Sequence, residues 1–164
     1  MYNRIELFHS EFDTLYRLQF GFRKKHSTED ALLSIVEEIR KNLDNVIFTC
    51  GVFIDLEKAF DTVNHKILLS KLDHYGISDN ALKWLISYLT NRKQFVKLNG
   101  SQSKHGNICC GVPQGSILGP LLFTIYINDM HKGVTSSKMH HFADDTNLLF
   151  SNKNPKLMAT ILNK

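Results

Sequence analysis

Lys138-Met139-His140-His141-Phe142-Ala143-Asp144-Asp145-Thr146-Asn147-Leu148-Leu149-Phe150 is the stretch on which the reading of this chain turns. Lys138–Phe142 and Thr146–Phe150 are short strand candidates on either side of Ala143-Asp144-Asp145, so the segment reads as a hairpin with acid at its tip. A second apolar run, Val46-Ile47-Phe48-Thr49-Cys50-Gly51-Val52-Phe53-Ile54, has no polar alternation and ends at Asp55. It reads as a central strand buried on both faces. An unpaired carboxylate at the edge of an apolar core is costly to desolvate, so strands that end in acid need a partner for it. If the strand ends are neighbours, Asp55, Asp144 and Asp145 repel one another and call for a counter-charge. A divalent cation supplies one. All-oxygen ligation with no His or Cys cluster nearby in sequence favours Mg²⁺ or Mn²⁺ over zinc, and two such ions can clamp the oxygens of a phosphoryl transfer. Taken singly, the Asp pair is also ordinary turn chemistry, and Asp55 is also an ordinary helix cap.

Working outward, Ser27-Thr28-Glu29-Asp30 is a capping-box pattern followed by Ala31, Leu32, Ile35, Val36 and Ile39 at helical spacing, which predicts an amphipathic helix over 28–42. A helix is expected from about Asn64 to His74, stopped by Gly76, and another opened by Ser78 and carrying Leu82, Leu85, Ile86 and Leu89. Gln94–Leu98 alternates, Asn99-Gly100 signals a turn, and Lys104–Cys110 returns as the partner strand of a basic hairpin. Gly111, Gly115, Gly119, Pro113 and Pro120 punctuate a loop that leads into a buried helix over Ile117–Ile127, and Pro155 starts a last helix. Trp84 and Tyr88 read as core contacts before base-stacking platforms. His65, His140 and His141 have no metal-site spacing.

The 164 residues carry a formal net charge of +4 and are 43% hydrophobic, which fits one globular domain or part of one and excludes a disordered tail, a collagen-like repeat or a disulfide scaffold. No acidic residue occurs between Asp79 and Asp129, whereas Lys83, Arg92, Lys93, Lys97 and Lys104 do. This asymmetry suits a polyanionic partner, though a solvated helix and hairpin would also carry it. The three cysteines, Cys50, Cys109 and Cys110, have neither zinc-site spacing nor the count of a disulfide framework, and reduced, partly buried thiols are expected. There is no apolar run long enough to span a bilayer and no signal-peptide pattern, so an intracellular soluble protein without a membrane partner is expected.

Phe53-Ile54-Asp55-Leu56-Glu57-Lys58-Ala59-Phe60-Asp61-Thr62-Val63 resembles polymerase motif A of the reverse transcriptases of non-LTR retrotransposons. Gly111-Val112-Pro113-Gln114-Gly115-Ser116-Ile117-Leu118-Gly119-Pro120-Leu121 resembles their motif B, and Phe142-Ala143-Asp144-Asp145-Thr146 their motif C. Upstream, Gln19-Phe20-Gly21-Phe22-Arg23 with Ser27-Thr28 is similar to the block that precedes motif A. Four blocks in family order across residues 19–150 make the match specific.

The resemblance implies an α/β (α+β) right-hand polymerase palm, a small antiparallel sheet backed by helices, with part of the fingers. By that likeness residues 1–164 form a single partial domain: 19–45 a fingers–palm junction, 46–150 the palm, and 151–164 the start of the next helix. The remaining, upstream part of the fingers, the motif D lysine, primer grip, thumb and endonuclease are unmatched, and Lys164 is not read as that lysine. The implied reaction is attack of a primer 3′-hydroxyl on the α-phosphate of a deoxynucleoside triphosphate (dNTP), with an RNA template, an RNA–DNA hybrid and two Mg²⁺ ions, Mn²⁺ being the alternative. Asp55 and Asp144 would hold the metals and Asp145 would complete the triad. Lys58 and Ala59 would offer backbone N–H groups to the triphosphate, Phe60 would be the gate against a ribose 2′-hydroxyl or else a core residue, and Gln114 and Gly115 would line the nascent pair. Arg23, Arg92, Lys93 and Lys97 are the nucleic-acid candidates, Arg23 being equally placed to pair with Glu29 or Asp30. Asp61 is set apart from the triad as the cap of the following helix. The alternative reading is a non-catalytic nucleic-acid-binding remnant. Nuclear action is expected only from how such elements integrate.

Overall fold

A computed structural model describes residues 1–163, and Lys164 lies outside the described residues. In chain order the elements are α1 (Tyr2–Glu11), α2 (Thr28–Asp44), β1 (Phe48–Ile54), α3 (His65–His74), α4 (Asp79–Leu89), β2 (Arg92–Gln94), β3 (Lys97–Leu98), β4 (Ser101–Gln102), β5 (Gly106–Ile108), α5 (Leu118–Ile127), a short 3₁₀ turn at Met130–Gly133, β6 (Ser137–Phe142), β7 (Asp145–Asn152) and α6 (Pro155–Leu162). They divide into two compact units, one of Met1–Thr14 with Lys58–Tyr126, the other of Leu15–Glu57 with Ile127 onward.

The second unit is built on an antiparallel sheet in the order β1-β7-β6. The expected hairpin is there: β6 and β7 pair from Ser137↔Phe150 to Phe142↔Asp145, leaving Ala143 and Asp144 as a two-residue connection. β1 pairs with β7 from Phe48↔Asn152 to Ile54↔Thr146. The place of β1 corrects the sequence reading, because β7 is the central strand and β1 lies at the sheet edge, with Phe53 74% exposed. An unbroken apolar run is the mark of burial on both faces, but it does not say which strand a sheet places in its middle. α2 starts where the capping box predicts. Ser27 Oγ accepts the Asp30 N–H at 3.1 Å, and Asp30 Oδ2 accepts the Ser27 N–H at 2.8 Å. Such a cap is worth about 1 kcal/mol. The helix is tied to the sheet by Asn42 Nδ2, which donates to Thr49 Oγ1 at 2.9 Å and to Ser151 Oγ at 2.8 Å, and by the Lys138–Glu38 ion pair at 2.6 Å.

The first unit is helical with a basic two-part hairpin. Leu68 and Leu72 of α3 and Leu85 and Leu89 of α4 are fully buried, one apolar stripe on each helix, whereas α5 is buried nearly all round, with Leu122, Phe123 and Ile125 all inside. Asn64 caps α3, its Oδ1 accepting the N–H groups of Lys66 at 3.0 Å and Ile67 at 3.2 Å. That overturns the capping role expected of Asp61. Pro120 sits in the first turn of α5, where its missing N–H breaks no helical bond. The hairpin forms as two ladders, β2 with β5 and β3 with β4, the latter around Asn99-Gly100.

Two further expectations need correction. Trp84 and Tyr88 stack on each other, with ring centroids 5.4 Å apart and an interplanar angle of 10°, but Trp84 is 44% exposed, so the pair lies along the helix surface and not in the core. Cys109 and Cys110 are exposed; Cys50 alone is half-buried, and all three are free thiols. α1 carried no signal strong enough to be read, although Ile5 and His9, four residues apart, form its buried side. Among the described residues no helix is long and apolar enough to cross a membrane.

Candidate active site

In the second unit the sheet register carries Asp55 and Asp145 to the same end. The last β1–β7 pair is Ile54↔Thr146, so continuing one step sets Asp55 opposite Asp145, and cross-strand partners point to the same face of a sheet. Both side chains are exposed, and both line one cavity of about 450 Å³ together with Phe53, Asn147, Phe142 and Leu32. Its lining is mostly apolar, with Asp55 and Asp145 as its acidic members. Asp144, half-buried, belongs to the adjoining turn. Among the described residues no group of three or more His, Cys, Asp or Glu side chains is gathered as a ready-made metal cage.

The turn is held from behind. Ala143 has a φ of 58°, a left-handed conformation that L residues other than glycine seldom adopt. Gln19 and Gly21 lie against it. The Gln19 side chain, 1% exposed, accepts the Ala143 N–H at 3.3 Å through Oε1 and donates to the Ala143 carbonyl at 3.5 Å through Nε2. A Cβ added to Gly21 would lie 2.1 Å from the Ala143 nitrogen, so only glycine allows this approach. Thr146, completely buried, contacts His141 Nδ1 at 3.0 Å and donates from Oγ1 to the Asp144 carbonyl at 3.4 Å. Burial holds the His141 pKa down to about 4, with His131 and His140 adding to the effect, so the ring is neutral at physiological pH. The carboxylates therefore face outward from a backbone that is buried and hydrogen-bonded. Sequence reading singled out neither Gln19 nor Thr146 as a support. The available signal was a glutamine next to Phe20-Gly21, in a block valued only for its likeness.

In the first unit the residues after Asp55 in sequence form a turn, with the Asp61 and Thr62 N–H groups both donating to the Lys58 carbonyl, at 2.9 and 3.1 Å. Ala59 is buried, and Phe60 stacks on Phe123 with centroids 4.3 Å apart and planes at 26°. The Gly111–Gln114 loop lies beside this turn. The Val112 N–H donates to the Phe60 carbonyl and the Gly111 N–H to the Val63 carbonyl, both at 2.8 Å. His65 Nε2 meets the Gly111 carbonyl at 2.7 Å. Gln114 Nε2 donates to Asp61 Oδ1 at 2.9 Å, which gives Asp61 its actual work. Gly111 has a φ of 86°, and a Cβ there would lie 2.8 Å from the Asp61 carbonyl oxygen. The predicted residues Lys58, Ala59, Phe60, Gln114 and Gly115 are thus brought into one tied pair of loops.

The basic candidates divide. Arg92 and Lys93 line a polar cavity of about 680 Å³ with Asp61, Asn107 and Gln114, and Arg92 lies 5.6 Å over the Tyr88 ring. Lys97 is exposed on β3. Arg23 is engaged internally, its guanidinium donating to the carbonyls of Tyr16 at 3.0 Å and Gln19 at 3.1 Å.

Acidic strand ends on a small antiparallel sheet, backed by helices and with a glycine-rich loop between them in sequence, define a polymerase palm. The comparisons agree. Residues 1–164 match the family model of the reverse transcriptase (RNA-dependent DNA polymerase), and the chain belongs to that family. It is 36% identical over 137 residues to the probable RNA-directed DNA polymerase from transposon X-element of Drosophila melanogaster, and 35% identical over 144 residues to the RNA-directed DNA polymerase from mobile element jockey of the same species. These matches cover 77% and 84% of this chain but 14% and 16% of those relatives, and they place it among the reverse transcriptase domains of non-LTR retrotransposons. A telomerase structure from Candida albicans shares the fold, with a TM-score of 0.68 at 15% identity, over 99% of this chain and 31% of that one.

Proposed function

We propose that this chain carries the carboxylates and the nucleotide-facing loops of an RNA-directed DNA polymerase that transfers deoxynucleotides from dNTPs to a primer 3′-hydroxyl on an RNA template. The observation that carries the reading is the β1–β7 register, which sets Asp55 opposite Asp145 beside the Ala143-Asp144 turn. The donor set fits Mg²⁺, with Mn²⁺ as the alternative. Its ligands are carboxylate oxygens, and Mg²⁺ is commonly held by one or two protein carboxylates with substrate phosphates and water completing its shell, so a closed three-residue cage is not required. Asp55, Asp144 and Asp145 would hold the ions. When bound, they neutralise charge on the reacting phosphate and lower the pKa of the attacking hydroxyl.

The rest falls to the chain itself. Phe60, buttressed by Phe123, presents a flat apolar wall, and a wall of that kind disfavours a ribose 2′-hydroxyl because the hydroxyl would lose its water without gaining a partner. Gln114, fixed by Asp61, and Gly115, with no side chain, suit a surface on which a nascent base pair rests. The backbone N–H groups of Lys58, which is exposed, and of Ala59, which is buried, are proposed to face the triphosphate. Arg92, Lys93 and Lys97 supply positive charge for the template–primer backbone, while the internal bonds of Arg23 favour a structural task for it over phosphate binding. Action on nuclear DNA is proposed from the family's mode of integration.

Primer extension on an RNA template with Mg²⁺ and dNTPs tests the reading. Extension should be lost in Asp55→Ala and in Asp144→Ala and should stop on chelation. Extension that persists in Asp144→Ala would refute the assignment, and salt-dependent hybrid binding without incorporation would instead favour a binding remnant.

A further inference from the structure

The segment before α2 meets the acidic hairpin around Gln19. The Gln19 backbone forms a parallel bridge with His141, in which the His141 N–H donates to the Leu18 carbonyl and the Phe20 N–H to the His141 carbonyl, both at 2.8 Å. Its side chain then turns onto the hairpin tip. Oε1 accepts two N–H groups, from Gly21 at 2.8 Å and Ala143 at 3.3 Å, and Nε2 donates to the Ala143 carbonyl at 3.5 Å. A planar amide that engages both the N–H and the C=O of one residue reads that residue's backbone conformation. The residue so read is Ala143, whose left-handed φ of 58° a glycine would adopt more readily. The Gly21 backbone closes the space on the same side, so the turn cannot relax toward it.

From this geometry we infer that Gln19 is a positioning residue that locks the Ala143-Asp144 turn and thereby aims the Asp144 carboxylate, an inference that rests on the metal-binding reading of Asp144. Gln19 touches no substrate in this account. It acts through the Ala143 peptide, much as outer-shell groups orient a metal ligand in other sites. An apolar side chain of the same length would fill the volume but leave the Gly21 and Ala143 N–H groups without their acceptor in a buried place.

The test uses Gln19→Met and Asp144→Ala in the otherwise unaltered chain, with Mn²⁺ alone as the probe and its binding followed by electron paramagnetic resonance. Each substitution is expected to weaken Mn²⁺ binding by about tenfold or more, while affinity for an RNA–DNA hybrid stays unchanged. If Asp144→Ala leaves Mn²⁺ binding intact, the metal-binding reading fails. If Asp144→Ala weakens it and Gln19→Met does not, the role of Gln19 alone is overturned. A Gln19→Met chain that loses Mn²⁺ and hybrid binding together has lost its fold in general, and that too overturns a positioning role. One measurement needs no variant. The Ala143 N–H should exchange with solvent far more slowly than in an unfolded chain, and exchange at the unfolded rate would overturn the clamp.

Discussion

Acidifying the chain from about pH 7.5 to about pH 5 should loosen the hairpin that carries Asp144 and Asp145, and the size of the effect follows from His141. The ring is 2% exposed, and its pKa is held down from 6.5 to about 4, by burial first and then by His131 and His140. Tyr16 faces it edge-on at 6.2 Å, and no carboxylate is among the causes acting on it. In the unfolded chain His141 takes up a proton below about pH 6.5, whereas the folded chain resists until about pH 4. Stability is therefore complete above pH 6.5, falls between 6.5 and 4, and is level in this respect below that. At about 1.4 kcal/mol per pH unit the full interval costs about 3 kcal/mol, and stopping near pH 5 costs about 2 kcal/mol. Against a typical stability of about 5–15 kcal/mol that is a large fraction. His140 and His9, both buried, are also lowered, so they act with the same sign. Urea unfolding of the unaltered chain and of His141→Asn at the two pH values isolates the share of His141. The loss on acidification should be smaller by about 2 kcal/mol in the variant. Equal losses in the two proteins, or greater stability at pH 5 than at pH 7.5, would refute the reasoning.

Three other variants probe separate parts of the fold and site. Ser27→Ala removes the acceptor for the Asp30 N–H and should lower stability by about 1 kcal/mol in the same urea assay. Phe60→Val removes the ring stacked on Phe123 and should shrink the preference for deoxynucleotides over ribonucleotides by about tenfold or more, read as the ratio of kcat/KM values in primer extension. Arg92→Ala with Lys93→Ala should reduce the steepness with which hybrid affinity falls with salt by about 0.9 for each phosphate that is no longer neutralised, and an unchanged slope would take these residues off the nucleic-acid path.

Most of the elements could be read from the sequence because their signals are local. The capping box at Ser27, the helical spacing of Leu82, Leu85 and Leu89, the Asn99-Gly100 turn and the acid-tipped hairpin each state their own structure within a few residues, and each forms where it was expected. The misreadings share the opposite property. That β7 and not β1 is central follows from the pairing of Ser137–Phe142 with β7, while no described strand pairs on the other side of β1, information that the apolar run itself does not hold. Trp84 and Tyr88 are four apart and share a helix face, but it is not the face of Leu85 and Leu89, which α4 turns inward, so the indole is left outward. Asp61 looked like a cap because three residues separate it from a helix start, whereas Asn64 lies closer and takes the position, leaving Asp61 to Gln114.

The same contrast explains why the carboxylates could be read and their supports could not. A carboxylate at the end of an apolar strand announces itself because acid is out of place there. A residue that holds such a carboxylate in position is chosen for a distant partner, and Gln19 is 124 residues from Ala143 along the chain. The demands on the hairpin tip are opposed. In the proposed metal site Asp145 would have to be open to solvent and ligand while the peptide beneath it stayed fixed, since small displacements of a ligating oxygen weaken a site whose cation demands near-ideal geometry. Apolar packing cannot meet both demands, because a side chain that covered the turn would also cover the acid. Hydrogen bonds to the backbone from behind can, and here they come from Gln19 on one side and from Thr146 on the other, with Gly21 giving the room for the first. It follows that the tip tolerates changes in the apolar residues around it better than the loss of a single amide.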